Sequence, residues 1–305
     1  HTKETSFRPD PAFTPYIPAF TAGHISARDP ILVRIAEGQS WKDSSATAIQ
    51  DIFRLSPQVN GTVYWKDQQT IAFRPTERLA QETTYTVTFQ LGELIDVPAA
   101  LKTFKFQVST IRQSIDAQVS DMPPISATDL SWQRLVVAVY TSDDATGQDL
   151  EGCFTATQHG RKLPLTWEHE PNGIHHRFTV DSVLRAEAAS TVLIDWKGDR
   201  IMSKDDGELP FTMPAIGEIV LISATTTSDG EQSATLLFSD PLDPEQDMNG
   251  LVGIAGAEDM RMALDGNKLT LYPSERLSGD QQAYIDAAVR NVNQHPIGKD
   301  LTVDL

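Results

Sequence analysis

The chain has 305 residues, 40% of them hydrophobic and 22% charged, with a formal net charge of −17. That length allows two or three domains of roughly 100–150 residues each. Forty-two acidic against 25 basic residues, with no basic cluster, argue against nucleic acid or an anionic membrane surface as partner. The one cysteine, Cys153, excludes an internal disulfide, and no apolar run approaches the roughly 20 residues of a membrane-spanning helix.

The first residues, His1 to Thr5, contain no basic segment followed by an apolar one and no initiator Met. The expected reading is a start downstream of any targeting signal. From there, strand signals dominate. Ile31–Ile35 is the first strong strand, and 45–53 is the one stretch that invites a short helix. Ile71–Leu79 follows the turn Asp67-Gln68-Gln69. Tyr85, Val87 and Phe89 alternate with threonines, and Phe104, Phe106 and Val108 alternate with polar residues up to Thr110. Leu79 and Tyr85 bridge a turn into a strand with the spacing of a tyrosine corner, in which the phenol hydroxyl ties the strand entry to nearby backbone.

The same features then return. Leu135–Val139 repeats the early strand, and Phe178–Leu184 stands where Ile71–Leu79 stood. Val192, Ile194 and Trp196 alternate before Asp205-Asp206-Gly207. A third round begins near Gly217, with its early strand at Ala234–Phe238 and the turn Asp265-Gly266-Asn267. Leu269-Thr270-Leu271-Tyr272-Pro273-Ser274-Glu275-Arg276-Leu277 echoes 71–79 almost residue for residue, and an alternating stretch at Ala283–Val289 follows. Taking Ile35, Val139 and Phe238 as equivalent gives a period near 100 residues. Three strand-rich units of this length, with turns every 8–12 residues, read as tandem immunoglobulin- or fibronectin-III-like antiparallel β-sandwiches. The expected limits are 1–111, 112–215 and 216–305. Joints without Gly/Ser-rich linkers predict stiffly packed neighbours.

Chemistry-bearing residues are sparse. In Trp167-Glu168-His169-Glu170-Pro171-Asn172-Gly173-Ile174-His175-His176-Arg177, a hairpin built on 170–173 would set His169 roughly opposite His175, close enough to share a metal ion. His175 and His176 point to opposite faces, so at most one of them joins His169. The plainer reading is an exposed polar hairpin tip without metal. The acidic loops 142–147 and 239–245 offer oxygens of the kind that hold calcium between tandem sandwiches. Neither has spaced calcium-loop ligands, and the plainer reading is a solvated loop. Cys153 lacks basic neighbours and reads as a small apolar residue at a strand start. Trp65, Trp132, Trp167 and Trp196 would have to be exposed to form a glycan platform, and strand positions favour the core. The signatures Gly-x-Ser-x-Gly, His-Glu-x-x-His and Cys-x-x-Cys and a phosphate-binding loop are all missing. The expectation is a non-enzyme with no catalytic residue and no cofactor. Glu77/Arg78 and Glu275/Arg276, repeated at one strand end, read as part of the fold.

The stretch Phe13 to Ile35, containing Phe13-Thr14-Pro15-Tyr16-Ile17-Pro18-Ala19-Phe20, resembles the amino-terminal region of bacterial alpha-2-macroglobulins. So do Phe53-Arg54-Leu55-Ser56-Pro57 through Trp65, Thr70–Pro75 and Tyr85-Thr86-Val87-Thr88. The likeness is clear over the first repeat, partial over the third and weak over the second. It implies macroglobulin-like sandwiches serving as scaffold in a larger protein, exported to the periplasm or outer surface and often lipid-anchored upstream. It also implies proteases as partners, trapped by the whole protein after cleavage of a bait segment. The thioester of that family needs Cys-x-Glu-Gln, whereas Cys153 precedes Phe154-Thr155-Ala156, so no thioester is expected in this segment. A tandem stalk or adhesin binding polysaccharide or a protein is the competing expectation.

Overall fold

The computed structural model describes residues 8–42, 49–126, 129–257 and 259–305. They form an all-β chain of three successive sandwiches. In the first, one sheet runs Ala19–Phe20, Ile31–Arg34, Thr70–Pro75, Gly61–Trp65. The other runs Gly23–Ile25, Phe104–Thr110, Thr84–Phe89, Phe53–Ser56. All pairs are antiparallel except Gly23–Ile25 against Phe104–Thr110. Alternation is the cause of the layering. Tyr85, Val87 and Phe89 are at most 3% exposed, while the intervening threonines face outward. They meet Ile31, Val33, Ile71 and Phe73 of the facing sheet in one apolar cluster.

The second sandwich sets Leu165–His169, His175–Leu184, Trp132–Thr141 and Ile115–Asp121 against Arg161–Leu163, Phe154–Gln158, Ser190–Trp196 and Gly207–Met213. The third sets Leu221–Thr227, Ser233–Phe238, Lys268–Pro273 and Met260–Asp265 against the three strands Val252–Ile254, Gln282–Ile285 and Leu301–Asp304. Each has its own apolar cluster.

The repeat is visible in the backbone hydrogen bonds as well. At the end of each early strand, one backbone N–H reaches the turn of the hairpin beside it: Ile35 to Gln69 O, Thr141 to Ile174 O and Phe238 to Asn267 O, all at 2.8–2.9 Å. The counterpart of Ile35 is therefore Thr141, two residues beyond the Val139 expected from the sequence. A two-residue slip keeps every side chain on its own face, so an alternating pattern cannot distinguish the two registers.

Other expectations also shift. Most of the helical stretch expected at 45–53 lies outside the described residues; Ile49–Ile52 is turn, and Phe53 opens a strand. The alternating segment 283–289 is strand only through Ile285, because Asp286 N–H bonds Leu251 O and Val289 N–H turns back to Asp286 O. The tyrosine corner is present in the first sandwich, where Ala80 N–H donates to the Tyr85 hydroxyl at 2.9 Å. In the third, Tyr284 is 43% exposed, and the Gln232 amide takes over, accepting from Leu277 N–H at 2.8 Å and donating to Leu277 O at 3.0 Å.

Candidate functional site

The two acidic loops are not wholly solvated: in each, an aspartate turns inward, and the loop is the joint by which a sandwich grips the one before it. Ser142 and Ser239 occupy the same place. Each hydroxyl accepts from the backbone N–H of the residue just ahead of the preceding strand, Ser114 at 2.8 Å and Val220 at 3.0 Å, and each serine N–H donates back to that residue's carbonyl. The aspartate that follows is turned inward, Asp143 at 3% and Asp240 at 0% exposure.

At the first joint, Asp143 Oδ2 accepts from Ala27 N–H of the first sandwich at 2.9 Å. Its backbone is held by the Gln113 amide, which accepts from Asp143 N–H at 2.8 Å and donates to Asp143 O at 2.9 Å. Arg78, at the strand end echoed later in the chain, donates to Asp144 O at 3.1 Å, and Arg28 pairs with the Asp144 carboxylate at 3.1 Å. Burial lowers the Arg78 guanidinium below its ordinary value; Arg28 adds to this, and Asp144 opposes it. Thus the Arg of the Glu77/Arg78 echo has a role beyond its own sandwich, whereas Arg276 makes a 3.5 Å contact with Ser228 O.

The second joint is drier. Arg185 is 1% exposed and ion-pairs with Asp240, both side chains being fully buried. Its Nε donates to Pro214 O at 3.1 Å, and its Nη2 donates to Ala215 O at 2.9 Å and Glu218 O at 2.6 Å. Asp240 Oδ2 accepts from Asn291 Nδ2 at 2.6 Å. A buried ion pair survives desolvation only when its remaining donors and acceptors are also met, as they are here. Beside it, Lys268 Nζ reaches Asp121 at 2.6 Å, and Asn267 Nδ2 donates to Met122 O at 3.2 Å.

The histidines lie at the far end of the hairpin in the second sandwich. The connection is longer than the sequence suggests: Glu170 N–H bonds His175 O, so His169 faces His176 and not His175. His169 Nδ1 and His176 Nδ1 are 2.9 Å apart. His175 instead points outward to Glu170 at 3.3 Å and packs against Tyr140. His176 is 5% exposed, and its basicity is lowered by burial first and by the neighbouring His169 second. His169 and His176 both line an open groove of about 620 Å³, together with Glu168, Tyr140 and Lys268. Among the described residues no group of three His, Cys, Asp or Glu side chains converges as a metal site.

The remaining candidates belong to packing. Cys153 is 4% exposed, and its thiol is pushed up by burial, the opposite of a reactive thiolate. Trp196 stacks on Phe154, Trp167 meets Phe154 edge-on, and Trp65 meets Trp41 edge-on at 5.1 Å. Trp132 is 42% exposed. The four tryptophans do not form a platform.

No curated protein matches the chain. Similar solved structures include L,D-transpeptidase 3 from Mycobacterium tuberculosis, at 11% identity over 57% of this chain and 77% of that one, with TM-score 0.26. SGBP-B of the Bacteroides ovatus mixed-linkage glucan utilization locus, in complex with a mixed-linkage heptasaccharide, matches at 9% identity over 94% of this chain and 65% of that one, with TM-score 0.27. Surface layer protein SbsC, domains 1–6, matches at 12% over 94% of this chain and 53% of that one, with TM-score 0.24. At such values no residue role transfers from them. Residues 9–110, the first sandwich, match the family model of the bacterial Ig-like domain, and the two sandwiches that follow repeat the backbone hydrogen bond described above.

Proposed function

We propose that these residues are the non-catalytic scaffold segment of an exported bacterial protein of the alpha-2-macroglobulin kind, which traps proteases and works at the periplasm or outer cell surface. The observation that carries this reading is the investment of buried charge in the joints. Asp143, Arg185 and Asp240, three of the most deeply buried charged side chains, bond one sandwich to the next. A trap that converts one cut into a collapse needs sandwiches that move as joined bodies. The sequence likeness over 13–88 supports the same reading, and it falls on the residues that match the bacterial Ig-like domain.

The experiment is to challenge the full-length protein and the 305-residue segment with a set of endopeptidases. The full-length protein is expected to retain cleaved protease in a complex that survives gel filtration, and the segment alone to retain none. Full-length protein that captures no protease, together with a segment that binds polysaccharide on a glycan array, would replace this reading with a stalk or adhesin.

A further inference from the structure

The edge strand of a sheet presents unpaired N–H and C=O groups, and proteins blunt such edges with short strands, charge, proline or a cover. In each sandwich the strand beside the early strand lies at a sheet edge. In the first, Ala19–Phe20 is two residues long, and in the second, Ile115–Asp121 carries Asp116 and Asp121. In the third, Leu221–Thr227 has seven residues and neither charge nor proline. Other edges of this chain are protected. Gly207–Met213 holds Glu208 and Pro210, and Met260–Asp265, the far edge of the same sheet, holds Arg261 and Asp265. Uncharged Gly61–Trp65 has Val63 O accepting from Gln50 Nε2 at 3.4 Å.

The register identifies the free groups. Phe238 N–H bonds Asn267 O, so Phe238, Leu236 and Ala234 direct their backbone groups toward Lys268–Pro273. Leu237, Thr235 and Ser233 direct theirs the other way, to Ser223, Thr225 and Thr227. That leaves the N–H and C=O groups of Ala224 and Thr226 facing away from the sheet. Ile222 packs against the apolar cluster of the second sandwich, whereas Thr225, Thr226 and Thr227 are exposed.

We propose that Leu221–Thr227 is where two copies of this chain associate, edge to edge and antiparallel, about a two-fold axis at Thr225. Ala224 of one copy lies opposite the partner's Thr226, so every outward N–H of the two residues meets a carbonyl. Thr225 meets the partner's Thr225 as a non-hydrogen-bonded pair, with Cα atoms about 4.5 Å apart. On the outer face Thr225 continues the row of Thr235 and Thr270, whose hydroxyls are 3.2 Å apart, and the axis carries this row into the partner. Chains of net charge −17 repel one another, and this strand brings no carboxylate to the seam. The symmetric row, and the lack of any charge that would select a different partner, favour a second copy over a foreign strand. Neither the joints nor the proposed scaffold role requires this contact.

The test is sedimentation velocity on the 305-residue protein over a range of concentrations, in which a dimer should grow with concentration. T225K sets like charges opposite each other on the axis and should weaken association at least about fivefold. T226P removes an outward donor from each copy, at a position where an edge strand tolerates proline, and should weaken it at least about tenfold. A263K adds the same charge at the far edge of the same sheet and should leave association unchanged. An equimolar mixture of T225K and T225E should associate at least as tightly as wild type. Far-UV circular dichroism checks that each variant is folded, and T226P carries the test if T225K is not. A dimer indifferent to T225K and T226P, or weakened equally by T225K and A263K, overturns the proposal. So does a protein monomeric at every concentration, which would leave the edge to a foreign strand.

Discussion

Cys153 and Asp243 show how environment sets the behaviour of single residues. The Cys153 thiol donates to Asp149 O at 3.4 Å and is pushed up by burial, so little thiolate exists near neutral pH. Iodoacetamide at pH 8 should modify it slowly in the folded protein and rapidly in denaturant; equal rates would mean the thiol is not enclosed. Asp243 is held below its ordinary carboxylate value, first by the Gln294 amide and then by Glu245 N–H, with Arg290 adding to both. A carboxylate whose folded pKa is depressed contributes stability that is complete above its unfolded value, near 3.9, and is lost as pH falls through the folded one. D243N should therefore lower the melting temperature at pH 7, and the gap to wild type should close as the pH drops below about 4. An unchanging gap across that range would remove the charge from the account. The burial of Asp143 and Asp240 was not legible in the sequence. An acid after Ser in a turn is ordinarily solvated, and the arginine that buries Asp240 stands 55 positions away.

Most strands were legible where apolar and polar residues alternate, although the alternation at 286–289 is not a strand, and register was not legible. The slip from Val139 to Thr141 and the exchange of His175 for His176 have related causes. Period two survives a shift of two residues, and adjacent histidines differ only in the face they take, which the loop length decides. The tyrosine corner, by contrast, was read correctly from the spacing of Leu79 and Tyr85, because it depends on a local turn. Y85F keeps the ring in the core and leaves Ala80 N–H without its partner. It should cost about 1–2 kcal/mol in urea unfolding of the first sandwich. No measurable change would show that the ring alone makes the corner.

The joints govern the whole molecule, and they are not alike. Arg185 and Asp240 are both fully buried, so removing one partner strands the other charge away from water. R185M should destabilise the protein by about 3–5 kcal/mol, and R185M with D240L should recover only part of that loss, because the carbonyls Arg185 served and Asn291 Nδ2 stay without those partners. Arg78 shares Asp144 with Arg28, and the Asp144 side chain is 37% exposed, so R78A should cost less than about 1 kcal/mol. Calorimetry on the three variants separates these outcomes. Equal effects of R185M and R78A would contradict the distinction drawn from burial. That three sandwiches exist was legible from the period, but their bonding was not, because it is written in isolated pairs far apart in sequence.

The loops after Ser142 and Ser239 are gripped with the same polarity. The earlier sandwich offers them donors, Ala27 N–H and Arg78 to Asp143 and Asp144 and the Arg185 guanidinium to Asp240, while at the second joint Lys268 and Asn267 also donate in the reverse sense, to Asp121 and Met122 O. Such a contact is head-to-tail, and it cannot be made by turning one sandwich around and pairing like face with like. The order of the sandwiches is thus encoded twice, once by the covalent chain and once by charge. A permuted arrangement that placed the second sandwich ahead of the first would face the Asp143 loop away from Ala27 and leave it with no donor in front.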